Sequence, residues 1–95
     1  MLLDISRIEI SDHASERLSS RCAERSLPVE EAIRRVYLTI INGSLSPNKH
    51  RSKKHRTYMM YFPDGLCFYV ICKESHPSGE PYLTVVTVII EEGRP

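Results

Sequence analysis

Eight consecutive residues, Leu83 to Ile90, read Leu-Thr-Val-Val-Thr-Val-Ile-Ile and contain no charge, no Gly and no Pro. The run is rich in β-branched residues and too short for an ordinary helix, so it is expected to be a strand. Strict alternation sets Leu83, Val85 and Ile89 on one face and Val86, Val88 and Ile90 on the other. A strand that is apolar on both faces suits a central position in a sheet covered on both sides. The rest of the chain has to supply its neighbours and its cover.

Neighbours are at hand just upstream. Thr57 to Phe62 and Leu66 to Lys73 are rich in aromatic and branched residues, and Pro63-Asp64-Gly65 between them is hairpin-turn chemistry. Cover is expected from two helices. From about Asp12 to Arg25, Ala14, Leu18 and Cys22 recur every four residues and trace a narrow apolar stripe, with Ser11 or Asp12 as the cap. The second helix has Pro28 in its first turn, Glu30 and Glu31 at the positive end of its dipole and Asn42-Gly43 as a stop. Its apolar face is Val29, Ala32, Ile33, Val36, Tyr37 and Ile40. Ile5, Ile8 and Ile10 suggest a short edge strand before the first helix, and Glu74 to Pro81 reads as an irregular loop. The expected fold is therefore α+β: two N-terminal helices packed on a three- to four-stranded antiparallel sheet.

With 95 residues there is room for a single domain, 1–95, with one thin core. No apolar run reaches the roughly 20 residues of a membrane span, and Met1-Leu2-Leu3-Asp4 does not read as a signal peptide, so no membrane partner and a cytoplasmic location are expected. Three scattered cysteines make a poor disulfide framework and are expected to be reduced thiols. Cys67 and Cys72, five residues apart in one strand, point to opposite faces and cannot share a metal ion, while Cys22 belongs to the helix core. His50 and His55 lack companions at zinc-like spacing. No metal and no cofactor are expected.

Charge is uneven. Lys49-His50-Arg51-Ser52-Lys53-Lys54-His55-Arg56 holds five of the thirteen Lys and Arg, leaving eight against twelve acidic residues elsewhere, a formal −4 for the remainder of a chain whose total is +1. A cationic loop beside a sheet can hold a phosphodiester backbone by ion pairing and counterion release, which makes Lys49, Arg51, Lys53, Lys54 and Arg56 the candidate nucleic-acid contacts. A second stripe, His13, Arg17 and Arg21, follows the apolar one a position earlier, about 100° round the first helix. It offers one group able to move a proton near neutral pH and two guanidinium forks suited to phosphate. The competing reading has the arginines in ordinary helix-surface ion pairs with neighbours such as Glu24, and His13 capping or packing at the helix start.

The run Ile10-Ser11-Asp12-His13-Ala14-Ser15-Glu16-Arg17, with Arg21, the opening Val29-Glu30-Glu31-Ala32-Ile33 and the strand Val85-Val86-Thr87-Val88, resembles a small bacterial and phage family grouped with the RelE/ParE-like toxins. The resemblance spans about Ile8 to Ile90. It implies a compact helix-plus-sheet fold and, as in many members of the wider barnase, colicin and RelE-type nuclease group, metal-independent cleavage of RNA. Carried over by position, His13, Arg17 and Arg21 match the helix motif and Thr87 the strand position. In-line attack of a ribose 2′-OH on the adjacent phosphate needs a base, an acid and charge stabilisation. His13 would serve as acid or base, Arg17 and Arg21 as clamps, Thr87 as a positioning hydroxyl and His55 as a second proton-transfer candidate. RNA or the ribosome is the expected target, with an antitoxin or a host protein as further partners. The alternative is a non-catalytic phage or mobile-element accessory protein that occupies a host protein or nucleoprotein complex.

Overall fold

The computed structural model describes residues 7–46, 55–75 and 82–93. They form β1 (Ile8–Ile10), α1 (Asp12–Arg25), α2 (Val29–Asn42), β2 (Ser44–Leu45), β3 (His55–Tyr61), β4 (Leu66–Ser75) and β5 (Tyr82–Glu92). The strands make one sheet in the order β1-β5-β4-β3-β2. The architecture is α+β, but the sheet is five-stranded and mixed, which corrects the expectation of three to four antiparallel strands. β1 runs parallel to β5, whereas every other pair is antiparallel. The direction of β1 follows from its continuation: the Ser11 N–H extends the ladder to the Val85 carbonyl at 3.1 Å, and the chain turns straight into α1, which packs back along β5. The strand missed in the sequence, β2, has two residues and so shows no alternation to read.

Local chemistry explains the elements. The Ser11 side chain caps α1, accepting from the Ala14 N–H at 3.1 Å. Ser26 ends it in the left-handed region, φ 53°, and returns its N–H to the Cys22 carbonyl. Pro28 stands at the N-cap of α2, one position before the first turn in which it was expected. At the other end Gly43 leaves α2 where a Cβ would strike the Thr39 carbonyl oxygen and, at 2.5 Å, that of Met59 on β3. The β3–β4 hairpin closes on Gly65 at φ 89°, with the Leu66 N–H donating to the Asp64 carboxylate at 3.3 Å.

Both helices lie on one face of the sheet. Ala14, Leu18 and Cys22 of α1 and Ala32, Val36 and Ile40 of α2 meet Phe68, Val70 and Cys72 of β4 and Leu83, Val85, Val88 and Ile90 of β5. This corrects two expectations about the last strand. β5 is central, between β1 and β4, yet only one of its faces is covered by a described helix. Its phase also slips: the register jumps from Cys72–Val85 to Ile71–Thr87, leaving Val86 as an extra residue. Such a bulge shifts the alternation by one, so Val88 and Ile90 join Leu83 and Val85 in the core and Ile89 turns away. Cys72 enters the core and Cys67 the opposite face, as their spacing required. No described helix is long and apolar enough to cross a membrane.

One polar cluster ties the layers together. Arg35 on α2, with a side chain 11 % exposed, bonds Glu31 at 2.8 Å and grips both oxygens of Asp64 in the hairpin turn at 3.1 and 2.8 Å. Its guanidinium also lies 4.7 Å from the Phe62 ring centroid. Arg34 takes the remaining capacity of Glu31, at 3.0 and 2.6 Å.

Candidate nucleic-acid interface

The sheet face without helices is built by register. Side chains of directly paired residues share a face, so His55 of β3, Lys73 of β4, Thr84 of β5 and Glu9 of β1 form one row across it. Thr57, Ile71 and Thr87 form the next, then Met59, Tyr69 and Ile89, then Tyr61, Cys67 and Glu91. Tyr82 belongs to the same face, its hydroxyl 3.5 Å from the Glu9 carboxylate. The surface thus mixes an imidazole, an exposed ammonium, hydroxyls and three phenol rings around an apolar strip. Burial is the main cause that pushes the Tyr69 phenol up to about 12, helped by the Cys67 thiol, so the ring stays neutral and acts as surface rather than as a base.

Of the basic run, Lys49, His50, Arg51, Lys53 and Lys54 lie outside the described residues. His55 and Arg56 are the first residues of β3, so the run continues directly into the sheet. Arg56 sits on the helix side of β3 by its pairing with Cys72 and makes an ion pair with Glu74 at 3.2 Å, its own side chain half exposed. His55, half-buried, stands directly opposite Lys73.

The five catalytic candidates are not gathered at one place. His55 and Thr87 share the helix-free face but sit two strands and one row apart, more than about 10 Å at ordinary strand spacing. His13, Arg17 and Arg21 are on α1, beyond the opposite face. His13 and Arg17 are exposed, and the cap that His13 was a candidate for is supplied by Ser11. Arg21 lies 3.7 Å from Glu24, the helix-surface pair that the competing reading anticipated. Arg25 continues the same four-residue step and was missed, as were Lys73, Tyr61, Tyr69 and Tyr82. The hairpin could have located three of these: once Pro63-Asp64-Gly65 is the turn, counting outward puts Lys73 opposite His55 and Tyr69 and Tyr61 on their face.

Comparison with protein-family models, curated proteins and solved structures gave no match.

Proposed function

We propose that this chain is an RNA-binding domain of the RelE-like toxin type that holds a single strand across the helix-free face of its sheet. The observation that carries the reading is the continuity of the basic run with β3, which delivers His55 opposite Lys73 on a face bearing Tyr61, Tyr69 and Tyr82. Cations track the phosphates, and phenol rings offer stacking surfaces for unpaired bases. Cleavage in this reading is metal-independent: His55 takes the 2′-OH proton as the 2′-oxygen bonds to phosphorus, the Lys73 ammonium beside it offsets charge on the phosphorane, and the P–O5′ bond breaks with the 5′-oxygen taking a proton from water, leaving a 2′,3′-cyclic phosphate. His13, Arg17 and Arg21 act elsewhere. The non-catalytic accessory reading remains as the second one, favoured by the division of the candidate catalytic groups between two sides of the sheet.

The test is to incubate the protein with free RNA in EDTA and with translating ribosomes, with EDTA there only as far as the ribosomes tolerate it, and to measure oligonucleotide affinity against salt. The catalytic reading expects 2′,3′-cyclic phosphate ends that disappear in His55→Ala. Binding without cleavage selects the accessory reading. Lys73→Ala and the combined Lys53 and Lys54 to Ala variant should each weaken affinity and flatten its salt dependence. An unchanged slope in both removes RNA as the ligand of this face.

A further inference from the structure

β2 closes the strand order β1-β5-β4-β3-β2, and among the described residues no strand lies outside it. Its register fixes which peptide groups are left over. The Ser46 N–H donates to the Thr57 carbonyl at 2.8 Å and Ser44 stands opposite Met59, so both residues turn their peptide groups to β3. Peptide direction alternates along an antiparallel strand. Leu45, between them, therefore turns its N–H and carbonyl outward. Leu45 is 63 % exposed, the most of any large apolar residue described, and Ser44 beside it is exposed too, so this border is open to solvent.

The border is apolar and uncharged. Leu45 shares a face with Tyr58, its partner on β3, and Tyr58 packs on the core, so the Leu45 side chain stands on the helix side of the sheet. Ile41, four residues earlier in the last turn of α2, is 38 % exposed. From Val36 to Asn48 the sequence has no charged residue, the longest such run in a chain of which 26 % is charged. Arg56, two residues from Tyr58 on the same face, has its charge taken up by Glu74 at 3.2 Å.

An open edge is a template for another strand. A charged peptide gains little here, because β2 and the end of α2 offer it no ion pair. A second copy meets the conditions. About a two-fold axis each residue near the centre meets its own counterpart, so a charged border repels itself and an uncharged one does not. We infer that two copies of this chain join edge to edge through β2, antiparallel, with the axis between the two Leu45 residues. Each Leu45 N–H donates to the other Leu45 carbonyl, and the two side chains, on one face with their Cα atoms about 5.5 Å apart, cover each other. The ladder stops there. The next outward positions are Gly43, whose N–H is already given to the Thr39 carbonyl at 2.9 Å, and Pro47, which has no N–H. So small an interface makes a dimer that forms at high concentration and separates on dilution. It leaves the helix-free face open and does not depend on RNA binding.

The experiment follows self-association in the absence of nucleic acid, by sedimentation equilibrium and by NOEs between a labelled and an unlabelled copy. Wild-type protein is expected to be monomeric at about 10 µM and substantially dimeric at about 1 mM, with contacts between copies at Leu45. Leu45→Lys and Leu45→Asp each set like charges together on the axis and should weaken the dimer at least about tenfold, whereas an equal mixture of the two should restore it. Both substitutions fall on an exposed side chain and should leave Tm nearly unchanged; if either unfolds the chain, the wild-type NOEs decide the matter. A wild-type protein that stays monomeric at about 1 mM, well above the range of a dimer this size, overturns the inference. So do dimers that survive both substitutions, a mixture that fails to reassociate, and contacts between copies confined to Tyr61, Tyr69 and Lys73, which would make the helix-free face the interface.

Discussion

Arg35 keeps a full charge between two carboxylates and above an aromatic ring, and the acids register its presence. Glu31 is held at about 2, first by the hydrogen bond from Arg34 and then by that from Arg35, while Arg35 lowers Asp64 below its ordinary value. Both acids have depressed folded-state values, so what they add to stability is complete above the usual carboxylate range. It is lost as pH falls from about 4.5 toward 2. In Arg35→Gln that acid-dependent loss is expected to be shallower, measured as urea midpoints at neutral and acid pH; identical slopes in the two proteins would remove Arg35 from the account. Gly43 makes a steric demand instead. A Cβ there meets two carbonyl oxygens that belong to backbone and cannot swing aside, so Gly43→Ala should cost about 2 kcal/mol or more and lower Tm by about 10 °C. A variant melting with the wild type would show that the α2–β3 junction relaxes freely.

Among the elements, β5 is the most exacting test of register. If Val86 is the extra residue of a bulge, Val88 is a core position and Ile89 is not, although the two are neighbours of similar size. Val88→Ser is expected to cost about 3 kcal/mol and Ile89→Ser under about 1 kcal/mol, read from denaturant midpoints; the reverse order would restore strict alternation. This strand also marks where sequence reading stops. Ser11, the four-residue apolar step and Arg25 define α1 from local preference alone, and its observed span is the one expected. The hairpin was equally legible, because Pro63-Asp64-Gly65 encodes its turn. A bulge leaves no such mark: Val-Val-Thr-Val-Ile-Ile reads the same with either phase. Nor do three residues of β1 encode direction, since parallel or antiparallel pairing depends on where the chain goes next. The candidate site divided for the same reason. Spacing places His13, Arg17 and Arg21 on one helix flank, but only the tertiary arrangement reveals that the sheet stands between them and His55.

On the scale of the whole molecule, the three free thiols form a set of internal reporters. Cys22, Cys67 and Cys72 belong to α1 and to both faces of β4, all are buried, and burial pushes the Cys72 thiol up to about 12. Their alkylation in native buffer is therefore expected to be slow and to proceed at one common rate that follows global opening, as judged by mass spectrometry across mild denaturant. Fast labelling of Cys67 alone would show that the helix-free face opens by itself. The β1–β5 pairing has a consequence for the life of the chain during synthesis. Ile8 is paired only once Leu83, much further along the chain, has been made, while Leu83 also pairs with Glu74 of β4. Loop closure on that scale is slow compared with forming the two helices or the β3–β4 hairpin. While translation continues, α1 thus has its apolar stripe formed and no sheet to lay it on, and the nascent molecule becomes a protein in one late step.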